Sequence, residues 1–241
     1  MLMEKNHTTL FYSPPKPCVL STDNGNNYFL DSSASLQYSF SQRQPIPLES
    51  LNNNTVVEIV ISNGTIFHPR AKVLIILPGE VGKEVIKVAI GMYNIFEEKC
   101  NVEIDLSHAI FETSVNALPL IGDYNIFGPK SSVMGMFSIG SYNSFEANCC
   151  VSGRAFYDYY APTIERLPCI RDGCTFAPLV NFHFDPLQSS TWDHVVVYLL
   201  DGKTFFRSCA QLKTIGMPSE ATKQKEVESL CASMRFQMGK R

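Results

Sequence analysis

No stretch of the chain approaches the roughly 18 consecutive apolar residues of a membrane-spanning helix. The short run from Val73 to Pro78 is closed by Pro and Gly. Charge is sparse, at 18% of residues, and the net charge is -3, so there is no basic surplus to hold nucleic acid. Disorder is excluded from the other side, because hydrophobic residues make up 45% of the sequence. No CxxC pair occurs among the eight cysteines; Cys149 and Cys150 are adjacent, and Cys169 and Cys174 are five apart. Neither spacing suits a zinc finger. Met1 to Pro17 has one early Lys5 but no continuous apolar core, so it is not expected to act as a secretory signal. Reduced thiols are therefore expected, serving as small buried residues.

The 241 residues allow one or two domains, and all-β folds often use this length as one. The first 55 residues are rich in Asn, Ser, Pro and Gln and read as a divergent N-terminal segment. Apolar patches at Cys18 to Leu20, Tyr28 to Leu30 and Leu36 to Phe40 leave room there for a poorly patterned first layer. From Val56 the pattern changes. One word, I-G-x-Y-N-x-F, occurs at Ile90 to Phe96, Ile121 to Phe127 and Ile139 to Phe145. Weaker copies run from Ile61 to Phe67 and from Ile170 to Phe176. Each word opens a series of large apolar residues spaced by six: Ile61, Phe67, Val73; Ile90, Phe96, Val102; Ile121, Phe127, Val133; Ile139, Phe145, Val151; Ile170, Phe176, Phe182.

Two residues before the second or third member of a series stand Thr65, Ala71, Asn94, Cys100, Asn125, Ser131, Asn143, Cys149 and Cys174. All are small, or Asn. A separation of two places side chains on the same face of a strand. Each hexad thus supplies one large and one small inward residue, with a polar or Gly turn between. Such a chain winds as a three-sided prism, each coil stacked on the last. Asn94, Asn125 and Asn143 are expected to form a hydrogen-bonded ladder at one corner. Cys100, Cys149 and Cys174 fall in small-residue slots, which points to structure rather than catalysis. Insertions follow the third hexad: Leu77 to Glu80, Glu103 to Leu120, and a stretch holding Phe156 to Tyr160. They are expected to emerge along one edge. After a linker beginning near residue 209, the tail from Ser219 reads as an amphipathic helix, with Val227, Leu230, Cys231 and Met234 at i, i+3, i+4 and i+7. Packing on a flank of the prism is its expected role.

These hexads identify the chain as resembling the left-handed β-helix, or hexapeptide-repeat, family. Within it, the words look like the dynactin subunit 6 group. Ile61 to Val73, with His68-Pro-Arg-Ala71, resembles that group's T-V-I-H-P-K-A-R-I coil. Ile90 to Glu98 resembles its I-G-x-x-N-x-I-E-E coil. Ile139 to Glu146 resembles its I-G-x-x-N-x-F-E coil, followed in both by a Cys, and Asp172-Gly-Cys174 resembles its S-G-C coil. The resemblance covers about Val56 to Met238 apart from the insertions, and departs at residues 1–55 and at Asp185 to Lys203. It implies an all-β, left-handed parallel β-helix of about five to seven coils over residues 56–208, with a C-terminal helix within 209–241. It implies a cytoplasmic, non-catalytic subunit without cofactor or metal, in the dynactin pointed-end complex that couples dynein to cargo. The implied partners are dynactin subunit 5, as a heterodimer, subunit 4 and the pointed-end actin-related protein, with no membrane insertion.

The same fold hosts enzymes, so fold alone does not decide function. A γ-class carbonic anhydrase needs three His ligands, two of them five apart. The histidines here are His7, His68, His108, His183 and His194, and no pair has that spacing. Where that family carries an R-G-D set, this chain has Val57-Glu-Ile-Val60. An acyltransferase needs a general-base His, for which His108 or His183 is available. A generic scaffold with other partners is the remaining alternative.

Overall fold

The computed structural model describes residues 11–22, 28–42, 55–79, 85–109, 117–154, 167–184, 191–208 and 220–238. They form three sheets of short strands and one helix, α1 (Glu220–Met238). The chain visits the sheets in rotation. Sheet I stacks Val19–Thr22, Val56–Ile61, Val85–Ile90, Leu118–Ile121, Ser138–Ile139, Cys169–Ile170 and Thr191–Trp192. Sheet II stacks Phe29–Leu30, Ile66–Phe67, Ile95–Phe96, Ile126–Phe127, Ser144–Phe145, Thr175–Phe176 and Val195–Leu200. Sheet III stacks Ser35–Gln42, Lys72–Leu77, Asn101–Asp105, Ser132–Met136, Cys150–Ser152 and Asn181–His183. Neighbours within these stacks pair in parallel, because a full circuit separates them. The architecture is an all-β parallel β-helix with three sides.

Pairing in register puts like residue on like residue. One column on sheet I runs Thr22, Ile61, Ile90, Ile121, Ile139, Ile170 and Trp192. On sheet II the column is Leu30, Phe67, Phe96, Phe127, Phe145, Phe176 and Val197. On sheet III it is Leu36, Val73, Val102, Val133, Val151 and Phe182. All are buried from Ile61 to Phe176, as are the small inward residues Thr65, Ala71, Cys100, Ser131, Cys149 and Cys174. The five phenylalanines form one continuous stack, with ring centroids 4.5, 4.6, 4.9 and 5.2 Å apart and planes within 6° of parallel. That spacing matches the separation of hydrogen-bonded strands, about 4.8 Å, so the coil repeat itself sets the ring spacing.

Sharp corners need left-handed backbone. Between sheets II and III the corner residue is Arg70, Lys99, Lys130, Asn148 or Leu179, with φ between 56° and 62°. Between sheets I and II it is Gly64, Tyr93, Tyr124, Tyr142 or Gly173, again with positive φ. The third corner carries the insertions. The three insertions read from the sequence lie between a strand of sheet III and the next strand of sheet I, whereas Met136 to Ser138 turns that corner directly. The strand that precedes the second insertion runs on through Glu103 to Asp105, so that insertion starts later than the sequence pattern places it. The stretch Phe156 to Tyr160 lies outside the described residues.

The pattern also starts earlier than Val56. Val19–Thr22, Phe29–Leu30 and Ser35–Gln42 each join a sheet in register with the strands that follow. At the far end Trp192 takes the place of the column isoleucines and Val197 that of the phenylalanines. Both ends finish with antiparallel pairing. Phe11–Tyr12 and Lys16–Pro17 pair with Ser35–Gln42. Lys203–Ser208 folds back on Val195–Leu200 and brings the Phe206 ring edge-on to Trp192 at 4.8 Å. Reversing strand direction at an end interrupts the parallel repeat that would template further stacking.

Leu179 gives a test of the corner geometry. It is 66% exposed and holds φ at 62°, a region that costs a branched L-residue roughly 1 kcal/mol. Asn occupies the equivalent site at Asn148. Leu179→Asn is expected to stabilise the fold by about 0.5 kcal/mol, seen as a higher melting temperature by circular dichroism.

Candidate functional site

Three features of the prism stand apart: the buried asparagine corner, the face under α1, and the corner from which the loops leave. The asparagine corner is internal and sets the register of the rest. Asn94, Asn125 and Asn143 are each fully buried. Asn94 Nδ2 donates to the carbonyls of Gly91 (2.9 Å) and Gly122 (2.7 Å). Asn125 Nδ2 donates to Asn94 Oδ1 (2.9 Å), Gly122 O (3.2 Å) and Gly140 O (2.8 Å). Upward along the stack, Asn94 Oδ1 accepts from Asn125 N, Asn125 Oδ1 from Asn143 N, and Asn143 Oδ1 from Cys174 N. Thr65 Oγ1 begins the column by accepting from Asn94 N at 3.2 Å. The amide is suited to this place because it donates and accepts at once, satisfying backbone groups that a tight buried corner leaves over. Asn143 Nδ2 has no partner, so the column weakens at its upper end.

Helix α1 lies on the outer face of sheet II. Val227 and Cys231 are buried there, with Leu230 and Met234 beside them, against Ile66, Ile95, Ile126 and the corner tyrosines. Tyr93, Tyr124 and Tyr142 form an outer stack parallel to the inner phenylalanines, with centroids 5.4 and 5.3 Å apart. Gly64 continues that line because a side chain there would collide with the Tyr93 ring. Polar contacts fix the helix lengthwise. Lys223 Nζ donates to Tyr142 O. Gln224 Nε2 donates to Tyr124 Oη (3.0 Å), which donates to Glu228 Oε1 (3.2 Å). His68 Nε2 meets Met234 Sδ at 3.4 Å. The helix therefore runs along the stack, its start near Tyr142 and its end near His68. Burial, with Glu228 beside it, pushes the Tyr124 hydroxyl up to about 12, so it stays a donor at neutral pH.

At the loop corner, Glu103 and Asp105 point outward from sheet III yet are 4% and 2% exposed. Arg154, at the start of the third insertion, pairs with Glu103 through two nitrogens, Nε to Oε1 at 2.9 Å and Nη2 to Oε2. Gly135, with φ at 66°, leaves the space in which Arg154 passes. The register between Asn101–Asp105 and Ser132–Met136 shifts beside it, between Val102 and Ile104. Asp105 Oδ1 accepts from Ser107 N at 2.9 Å, and Ser107 Oγ lies 3.0 Å from His108 Nδ1. Burial pushes the Asp105 carboxyl up to about 6. The sequence reading did not single out this brace. The alternation Asn101, Glu103, Asp105 on an outward row was the available signal.

The histidines are spread over the prism. His68 adjoins α1, His108 sits in the turn after Asp105, His183 ends a sheet III strand, and His194 lies at a corner beside Asp193. His7 is outside the described residues. Among the described residues, no three His, Cys, Asp or Glu side chains gather closely enough to hold a metal ion. Burial pushes the Cys100 and Cys149 thiols up to about 12 and Cys231 to about 11, which leaves negligible thiolate at neutral pH. No helix among the described residues is long and apolar enough to cross a membrane. No protein-family profile matches the sequence, and no curated protein matches it.

Two measurements probe these features. The Asn125 side chain takes part in more hydrogen bonds than that of Asn143, whose Nδ2 has none. Asn125→Ala should therefore cost about 3 kcal/mol in denaturant unfolding and Asn143→Ala about 1 kcal/mol. Equal costs would contradict the column. Asp105 has a folded pKa above its unfolded value, near 3.8. The folded state holds the extra proton between the two values, so Asp105's contribution to stability falls as pH rises through about 4 to 6. Its carboxylate then costs about 2–3 kcal/mol at neutral pH. Asp105→Asn, which keeps the acceptor for Ser107, should raise the melting temperature most at about pH 7.5 and progressively less as pH falls toward about 4.

Proposed function

We propose that this chain is a non-catalytic structural subunit of the dynactin pointed-end complex, wound as a left-handed β-helix with one coil for each strand of sheet I. The observation that carries the reading is the order of coil words. An I-G-x-Y-N-x-F-E-E coil at Ile90 to Glu98 is followed by an I-G-x-Y-N-x-F-E coil at Ile139 to Glu146, and a helix lies beyond the last coil. That order is more specific than the hexad, which is common to the whole fold family.

The architecture suits such a role. A stack of in-register coils is stiff, and each side offers a flat surface for a neighbour. Sheet II is taken by α1, and the lower edge of sheet III is closed by the antiparallel strands Lys16–Pro17 and Phe11–Tyr12. Among the described residues, no helix lies on the outer face of sheet I. On this reading the chain pairs with dynactin subunit 5 and joins subunit 4 and the pointed-end actin-related protein in the cytoplasm, associated with the cytoskeleton.

The test is native purification of the tagged full chain from its own cells, with mass spectrometry of the eluate. Dynactin subunit 5 and actin-related proteins are expected in stoichiometric amounts. Elution as a lone trimer carrying zinc and hydrating carbon dioxide would overturn the reading in favour of a carbonic anhydrase.

A further inference from the structure

We infer that the outer face of sheet I is a self-complementary docking surface on which a second copy of this chain sits face to face. This does not rest on the dynactin reading, because it is a property of the isolated chain. Among the described residues the centre of the face carries no net charge, its one acid and one base being paired. Its outward side chains at the centre are Val56, Glu58 and Val60 on one strand and Val85, Lys87 and Ala89 on the next, paired rung by rung. Val56 and Val85 are 38% and 48% exposed, far above the buried isoleucines on the inner side of the same strands. Glu58 and Lys87 are bonded across the strands at 3.2 Å, and they are opposite in sign.

The arrangement has a consequence for symmetry. Consider a two-fold axis lying in the interface, parallel to the strands and midway between Val56–Ile61 and Val85–Ile90. It lays each of these strands over the other strand of the second copy. Row for row, Val56 then faces the second copy's Val85, Val60 faces its Ala89, and Glu58 faces its Lys87. Apolar meets apolar, and each charge meets its opposite. One rung further out, Ser21 faces Pro119, since both lie in the row of Val60 and Ala89. No row brings like charges together. Isologous pairing of this kind needs a patch that is its own complement about the axis.

Area sets the strength. Four strands overlap in this pose, giving a patch about 20 Å by 20 Å on each copy, from about 4.8 Å between strands and about 3.3 Å per residue. The total, on the order of 800 Å², is below that of permanent dimers and fits a reversible association in the micromolar range. Small side chains over most of the patch let the sheets approach closely, as in sheet-on-sheet packing.

The experiment is sedimentation equilibrium of the purified full chain, with its melting temperature measured in parallel. The wild type is expected to be a monomer–dimer mixture at micromolar concentrations. Ala89→Glu should weaken the dimer at least about tenfold without lowering the melting temperature, whereas Lys72→Glu, on sheet III, should leave it unchanged. Glu58→Lys and Lys87→Glu should each weaken self-association, because like charges then face each other across the axis. An equimolar mixture of these two variants should restore it, because every facing pair is again opposite. A wild type monomeric at about 200 µM would overturn the proposal, as would a dimer indifferent to Ala89→Glu or a mixture that fails to recover. If Ala89→Glu lowers the melting temperature, the mixture experiment alone decides.

Discussion

Each backbone hydrogen bond between coils places a side chain directly over its counterpart, about 4.8 Å away. With that spacing imposed, every column must be filled by residues that tolerate their own kind as neighbours. Phenylalanine does so by stacking, branched aliphatics by interlocking, and asparagine by donating to one coil while accepting from another. A charged residue does not, and the inner columns contain none. The left-handed corners follow from the same constraint. A turn tight enough to bring the next strand onto its own face uses positive φ, even where the residue is Tyr, Lys or Leu.

The three sides then diverge because their outer surfaces are free of that constraint. Sheet II exposes Ile66, Ile95 and Ile126 beside a tyrosine stack, and α1 covers them. Sheet III carries two outward carboxylates whose burial is tolerated because Arg154 neutralises one and the other binds a proton more readily. Sheet I keeps an even, small-residue exterior. A single inner architecture thus supports a helix seat, an ionic brace and a plain flat face.

Much of this was legible in the sequence, for a physical reason. Columns of identical residues at a fixed spacing are local in the chain and periodic, so Ile90, Phe96 and Val102 announce the inner surface without any knowledge of the fold. The asparagines were readable because small inward residues recur two positions before the large ones. The first coil was not readable in the same way. Thr22, Leu30 and Leu36 stand where Ile, Phe and Val stand elsewhere, and only pairing with the next coil shows that they belong. Trp192 and Val197 hid the last coil similarly. The pairing of Arg154 with Glu103 crosses a long insertion, and no spacing rule connects residues 51 apart.

Stacks of repeats are, in the simplest case, one-dimensional systems in which each unit responds only to its neighbours. Helix α1 changes that. From Lys223 on Tyr142 to Met234 on His68 it touches rungs that are not adjacent to one another. It therefore couples them the way a splint couples segments of a broken rod. Rungs under the splint must open together or not at all. The rungs from Cys169 to the terminal hairpin lie past its starting end, so fraying that begins there halts where the helix begins.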